Sequence, residues 1–141
     1  MKEQCMKEII DLHKFFEQWF KAEIENNDKT FARLENVLKK EFLLIMPSGA
    51  ISTRDELLKN LREGYSSHKD DEIPYKLWVQ NIKCRYIETD VCVMIYEEWG
   101  EVHGKTNARI STAIFHRNEN CVNKVEWVHV HEVFIPVKSK D

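Results

Sequence analysis

The hydrophobic rhythm of this chain changes once, near Tyr75, and that change restricts the possible folds more than any other feature. Before it, apolar residues recur three and four apart; after it they follow a period of two as far as Pro136. Ile9, Leu12, Phe16, Trp19, Phe20 and Ile24 draw the stripe of one amphipathic helix over residues 3–26. Asn26-Asn27-Asp28 interrupts it, with Asp28 a suitable N-cap, and Phe31, Leu34, Val37 and Leu38 carry a second helix to about Lys40. Phe42 to Met46 predicts a short strand closed by Pro47-Ser48-Gly49, and Ile51 opens a brief return strand. Thr53-Arg54-Asp55-Glu56 has the spacing of a capping box, followed by the stripe Leu57, Leu58, Leu61 and Tyr65 of a third helix.

Residues 66–74 are polar and predict a loop. Four long strands follow, at about 75–88, 91–102, 107–117 and 124–136, joined by short connections such as Thr89-Asp90. Short connections make neighbouring strands antiparallel. Helices that precede such a sheet give an α+β domain with the helices over one sheet face. The late strands are apolar on both faces: Val93, Ile95 and Trp99 alternate with Met94 and Tyr96, and Trp127, Val133 and Ile135 with Val128, Val130 and Phe134. A solvated face would be polar. With one face on the helices, the expectation for the other is a homodimer formed through the outer face of the sheet.

A chain of 141 residues fits one domain, here 1–141 with a core of about 9–136. With 43% hydrophobic and 32% charged residues, disorder and collagen-like classes are excluded. The formal charge of −3, from 21 basic and 24 acidic side chains, does not favour nucleic acid. The cysteines at positions 5, 84, 92 and 121 form no CxxC pair and are expected as reduced thiols. The polar start and the lack of any apolar run near 20 residues lead to an expectation of no membrane contact and a cytoplasmic location.

Titratable residues and aromatics gather in the last three strands. Strand parity puts Glu97 with Trp99, Arg109 with Ser111, and Trp127 with His129 and His131. An HxH pair offers two imidazoles to one metal, with Glu97 as a possible third ligand, but no complete ligand set is present and no metal or other cofactor is expected. Imidazole also suits general acid–base work near neutral pH. The plainer reading is two histidines hydrogen-bonded in a mixed polar and aromatic face. Glu97 and Arg109 can neighbour each other across a hairpin, as a structural pair or as an anion-recognising arginine held by its glutamate. Trp19, Trp78, Trp99 and Trp127 can line a pocket. Ser111 with His129 lacks a nucleophile elbow or triad order.

Tyr96-Glu97-Glu98-Trp99, Arg109 to Phe115, and Trp127-Val128-His129-Val130-His131-Glu132 resemble the SnoaL-like branch of the nuclear transport factor two-like superfamily, above all its members of unknown function. Thr112 to Arg117 and the His-x-His strand are also similar to the association domain of calmodulin-dependent kinase II. The resemblance implies a cone: helices packed in the concavity of a strongly curved antiparallel sheet, in the order α-α-β-α-β-β-β-β, with a cavity between them and dimerisation through the outer face. Where the kinase domain has cavity arginines, this chain has Glu97 and Ala113. That register points Glu97, Trp99, Arg109 and Ser111 at the cavity. The Asp-centred site of the steroid isomerases has no counterpart here. The expected function is a small-molecule-binding domain with a semi-enclosed cavity, of isomerase or lyase type if catalytic. His129, His131 and Glu97 would move protons, and Arg109, Trp99, Trp127, Ser111 and Trp19 would hold the ligand. The alternative is a non-catalytic association module.

Overall fold

The computed structural model describes residues 1–138. Its elements are α1 (Lys2–Phe20), α2 (Asp28–Glu35), β1 (Leu38–Ile45), β2 (Ile51–Thr53), α3 (Arg54–Glu63), β3 (Lys76–Glu88), β4 (Val91–Val102), β5 (Lys105–Arg117) and β6 (Val125–Ile135). The six strands form one curled sheet in the order β2-β1-β6-β5-β4-β3. All neighbours are antiparallel except β1 and β6, which run parallel. The α+β cone is therefore as expected, with one parallel pair added, because β1, hairpinned to β2 on one side, docks along the last strand β6 on the other. Among the described residues, no helix is long and apolar enough to cross a membrane.

Local chemistry explains most boundaries. Thr53 and Glu56 close a complete capping box at α3: the Thr53 side chain accepts from the Glu56 N–H, and the Glu56 carboxylate accepts from the Thr53 N–H. The first helix stops at Phe20 rather than 26, and Asn27, not Asp28, caps α2 by accepting from the Thr30 N–H at 2.8 Å. Helix α2 ends at Glu35 because Asn36 caps it; Val37 and Leu38, expected on its apolar stripe, are instead buried in the turn before β1 and at its first residue.

The core lies between the concave face of the sheet and the helices. Ile9, Leu12 and Trp19 from α1 meet Met94, Tyr96, Ala113, Phe115 and Trp127 from the sheet. A buried carboxylate anchors one end. Glu8, 0% exposed, accepts hydrogen bonds from Trp127 Nε1 (2.9 Å), Arg33 Nη2 (2.8 Å) and Asn123 Nδ2 (2.9 Å). It thereby ties α1, α2, β6 and the β5–β6 connection together, its charge stabilised by the arginine and two neutral donors. The four cysteines are free. Cys92 is buried beside Cys84 and Met94, and burial pushes its thiol up to about 11.

Candidate functional site

A single residue in β6 decides which side chains reach the cavity. Phe115 pairs with Trp127, but the next residue of β5, Ile114, pairs with His129. Val128 is the extra residue of a β-bulge, and a one-residue slip turns every later side chain to the other face. Trp127 therefore points inward, and so do Val130 and Glu132, both buried. His129 and His131 point outward, opposite Ile114 and Thr112. The expectation that they share a face with Trp127 is corrected by this bulge, and neither histidine lines the cavity.

Glu97 and Trp99 are also outward. In the β4–β5 register Arg109 lies opposite Glu98, and Ser111 opposite Tyr96. The pair read from sequence as Glu97–Arg109 is thus Glu98–Arg109. Glu97 instead accepts from Trp99 Nε1 at 2.9 Å and Asn81 Nδ2 at 2.8 Å on the outer face. The Trp99 indole bond, followed by that of Asn81, holds the Glu97 carboxyl below its usual range. With the histidines and Glu97 separated by β5, among the described residues no cluster of three or more metal-ligating side chains forms.

The concave face encloses a cavity of about 300 Å³ between α1, α3 and the sheet. Its walls include Phe16, Phe20, Phe42, Leu57, Trp127 and Val130, and its polar end is built from His13, Glu98, Arg109, Glu132, Tyr75 and Tyr96. Arg109 and Trp127 are the expected ligand-holding residues that reach this wall. Ser111 shares the inward face but is fully buried beneath it, and its Oγ has no hydrogen-bond partner. Trp19 is core: its Nε1 donates to the Leu61 carbonyl at 2.7 Å.

The polar end is a chain of paired charges. His13 lies on α1 between a backbone carbonyl and a carboxylate: Nδ1 is 2.8 Å from the Ile9 oxygen, and Nε2 is 3.0 Å from Glu98 Oε1. A carbonyl only accepts, so Nδ1 carries a proton. Burial works against the charged imidazole, but the Glu98 hydrogen bond and charge and the Ile9 carbonyl outweigh it, and the His13 pKa rises. Burial likewise opposes the Glu98 carboxylate, and His13 and Arg109 overcome it, so Glu98 is lowered. Arg109 Nη1 donates to Glu132 Oε1 at 3.1 Å, while its buried Nε stands 3.9 Å from Glu98 Oε2 with no hydrogen-bond partner. Glu132 goes the other way. Burial and the nearby Glu98 charge raise it, despite Arg109. Burial and the Glu98 and Glu17 charges also push the Tyr75 phenol up, keeping it a neutral donor. The Phe134 ring packs 5.5 Å from the Arg109 guanidinium carbon.

His13, Glu98 and Glu132 were not among the residues singled out from sequence. His13 carried a legible signal, since it stands four residues after Ile9 and three before Phe16, inside the apolar stripe. Glu98 and Glu132 depended on parity, which the sequence left open.

Comparison with known proteins fixes the kinship. A crystal structure of an NTF-2-like protein of unknown function from Pseudomonas aeruginosa superposes with a TM-score of 0.81 at 16% identity, covering 94% of this chain and 99% of that one. The CaMKII hub of S. rosetta gives a TM-score of 0.61 at 12% identity over 78% of this chain and 83% of that chain. These likenesses show the nuclear transport factor two-like fold that the sequence resemblance implied. Tobacco (Nicotiana tabacum) sucrose-phosphatase 1 is 22% identical over 129 residues, 91% of this chain, and tobacco sucrose-phosphatase 2 is 20% identical over 130 residues. The chain spans about 30% of the length of either relative. Residues 5–136 match the family described as sucrose-6-phosphate phosphohydrolase C-terminal. Carrying that match over almost its entire length, the chain belongs to the sucrose-6-phosphate phosphohydrolase C-terminal family.

Proposed function

We propose that this domain binds a small, uncharged, largely apolar molecule in the concave cavity and holds its polar end at Arg109 and Tyr75. The observation that carries this reading is the pairing of every charge on the cavity wall with another wall residue, His13 with Glu98 and Arg109 with Glu132. An ion entering the cavity would have to break a buried pair, which costs several kcal/mol, on the order of 3–5. A neutral acceptor such as a carbonyl needs only a donor, and the Tyr75 phenol and the Arg109 guanidinium both line the cavity. The remaining walls are aromatic and aliphatic, and a cavity of about 300 Å³ is at the small end of ligand sites. A sugar phosphate, suggested by the names of the tobacco relatives, would meet two carboxylates beside one arginine.

The same wall suits proton transfer of the isomerase or lyase kind. Glu98 is held ionised by His13 and can take a proton, and Arg109 beside it can stabilise an oxyanion. A second reading, association through the outer sheet face, is favoured by exposed Ile110 and Val133, which pair across β5 and β6.

Titration with 2-acetylnaphthalene, followed by NMR, tests the first reading. Binding is expected in the native protein and lost in Leu57→Trp, which fills the cavity. Arg109→Met should weaken it about tenfold while leaving the affinity for naphthalene unchanged. Equal binding by the native protein and Leu57→Trp, or tighter binding of naphthyl phosphate, would reject it.

A further inference from the structure

The outer face of the sheet carries a second feature that the cavity does not use. Trp78 of β3 and Trp99 of β4 lie directly opposite each other, with ring centroids 6.3 Å apart and planes only 18° from parallel. Both indole N–H groups are already satisfied within the sheet. Trp99 Nε1 donates to Glu97 Oε1 at 2.9 Å, and Trp78 Nε1 donates to Gln80 Oε1 at 3.3 Å. Glu97 also accepts from Gln80 Nε2 at 3.3 Å and from Asn81 Nδ2 at 2.8 Å, so one carboxylate locks the edges of the arrangement. The left-handed backbone at Asn81 (φ 54°) marks the irregularity in β3 where this amide leaves the strand's alternation and reaches Glu97. The two rings line an open recess of about 880 Å³. Its sides are Glu101, Lys105, Thr106 and the segment Pro136 to Lys138.

We propose that this recess is a binding site for a neutral saccharide. Rings whose edges are fixed and whose polar atoms are spent can recognise a ligand only through their faces, by contact with a flat C–H or π surface. The polar groups that remain lie around them. Glu101 accepts, Thr106 both donates and accepts, and Lys105 donates. A sugar ring matches both sets at once, with an apolar C–H face for each indole and hydroxyls that donate to carboxylates and accept from ammonium and hydroxyl groups. The charges argue for neutrality, since Glu97 and Glu101 disfavour an anion while Lys105 and Lys138 disfavour a cation. The indoles need not move to bind, since their hydrogen bonds already hold them, and this preorganisation lowers the entropic cost of binding.

The chain has four tryptophans, and the other two serve as internal standards, because Trp19 and Trp127 are buried. In the ¹⁵N-labelled full chain, the indole N–H signals of Trp78 and Trp99 are expected to shift on titration with cellobiose, maltotriose or sucrose. Those of Trp19 and Trp127 should stay still. Trp78→Ala is expected to weaken binding about tenfold with the remaining spectrum unchanged. Trp99→Phe, which keeps a flat ring at that position, should weaken it less and guards against a variant that fails to fold. Three results overturn the proposal: no indole shift with any of the three sugars into the tens of millimolar; shifts at Trp127 instead, which would put the sugar in the cavity; or movement of the Trp78 and Trp99 signals on protein dilution alone, which would show that a second copy occupies the recess.

Discussion

His13 illustrates how one residue sets the electrostatics of a wall. It sits on the buried stripe of α1, held between the Ile9 carbonyl and Glu98, and its raised pKa gives it a signed effect on stability. A histidine with a folded pKa above its ordinary 6.5 stabilises fully below 6.5, and that contribution is lost as pH rises through the folded value. Glu98, lowered, contributes above its ordinary 4.5 and loses that as pH falls through its folded value. Glu132, raised, favours the fold most when protonated, and that contribution fades as pH rises through its folded value. The melting temperature should therefore be highest at mildly acidic pH and fall as pH climbs above 6.5. In His13→Gln the part of that fall due to the imidazole should vanish, and the variant should be less stable by about 3 kcal/mol near pH 6, because Glu98 loses its partner. Thermal melts across pH 5 to 9, a range of about four units around the histidine value, read both effects. A flat native profile would contradict the assignment. At this scale the sequence showed the aromatic and arginine members of the site, Trp127 and Arg109. It hid the carboxylates, because choosing Glu98 over Glu97 requires the register and not the composition.

Among the elements, those with a local chemical cause were legible and those set by tertiary contact were not. The capping box of α3 is written in four residues and forms as such. Thr53→Ala should cost about 1 kcal/mol, measurable as a lower urea midpoint at unchanged slope. The long strands appear within two residues of their expected bounds, since a period of two needs no partner to be seen. The second helix was read too long. Phe31, Leu34, Val37 and Leu38 satisfy a helical stripe, yet Val37 and Leu38 are buried by entry into β1, where the Trp127 N–H donates to the Val37 carbonyl. That bond joins residues ninety apart in sequence, beyond the reach of any local pattern. The bulge at Val128 belongs to the same class, for no residue type announces it.

For the whole molecule, the curled sheet leaves its convex side uncovered by any helix among the described residues. Ile110, Val133 and Tyr86 are 41%, 55% and 51% exposed there, in company with half-buried Val93 and Ile95. The proposed homodimer buries this surface, and sedimentation at micromolar concentration should give twice the monomer mass of 16.8 kDa. Val133→Lys should return the monomer without loss of fold, because Val133 projects away from the core. A native monomer at that concentration would remove the association reading and leave the cavity reading intact. The two-faced apolarity that prompted this expectation was visible in the sequence; the recess at one end of the same face was not, because Trp78 and Trp99 are opposite each other only once the β3–β4 register is known.

The β6 bulge acts much as a reading frame does. Downstream of Val128 the strand holds two interleaved sets, Val130 with Glu132 and His129 with His131, and the position of one supernumerary residue decides which set is expressed toward the interior. Sliding that residue past Val133, with the composition and length of the strand unchanged, would exchange a carboxylate wall for an imidazole wall. Two members of a lineage could thus differ in the acid–base character of their cavities while remaining almost identical letter by letter, and an alignment of their sequences would not reveal it.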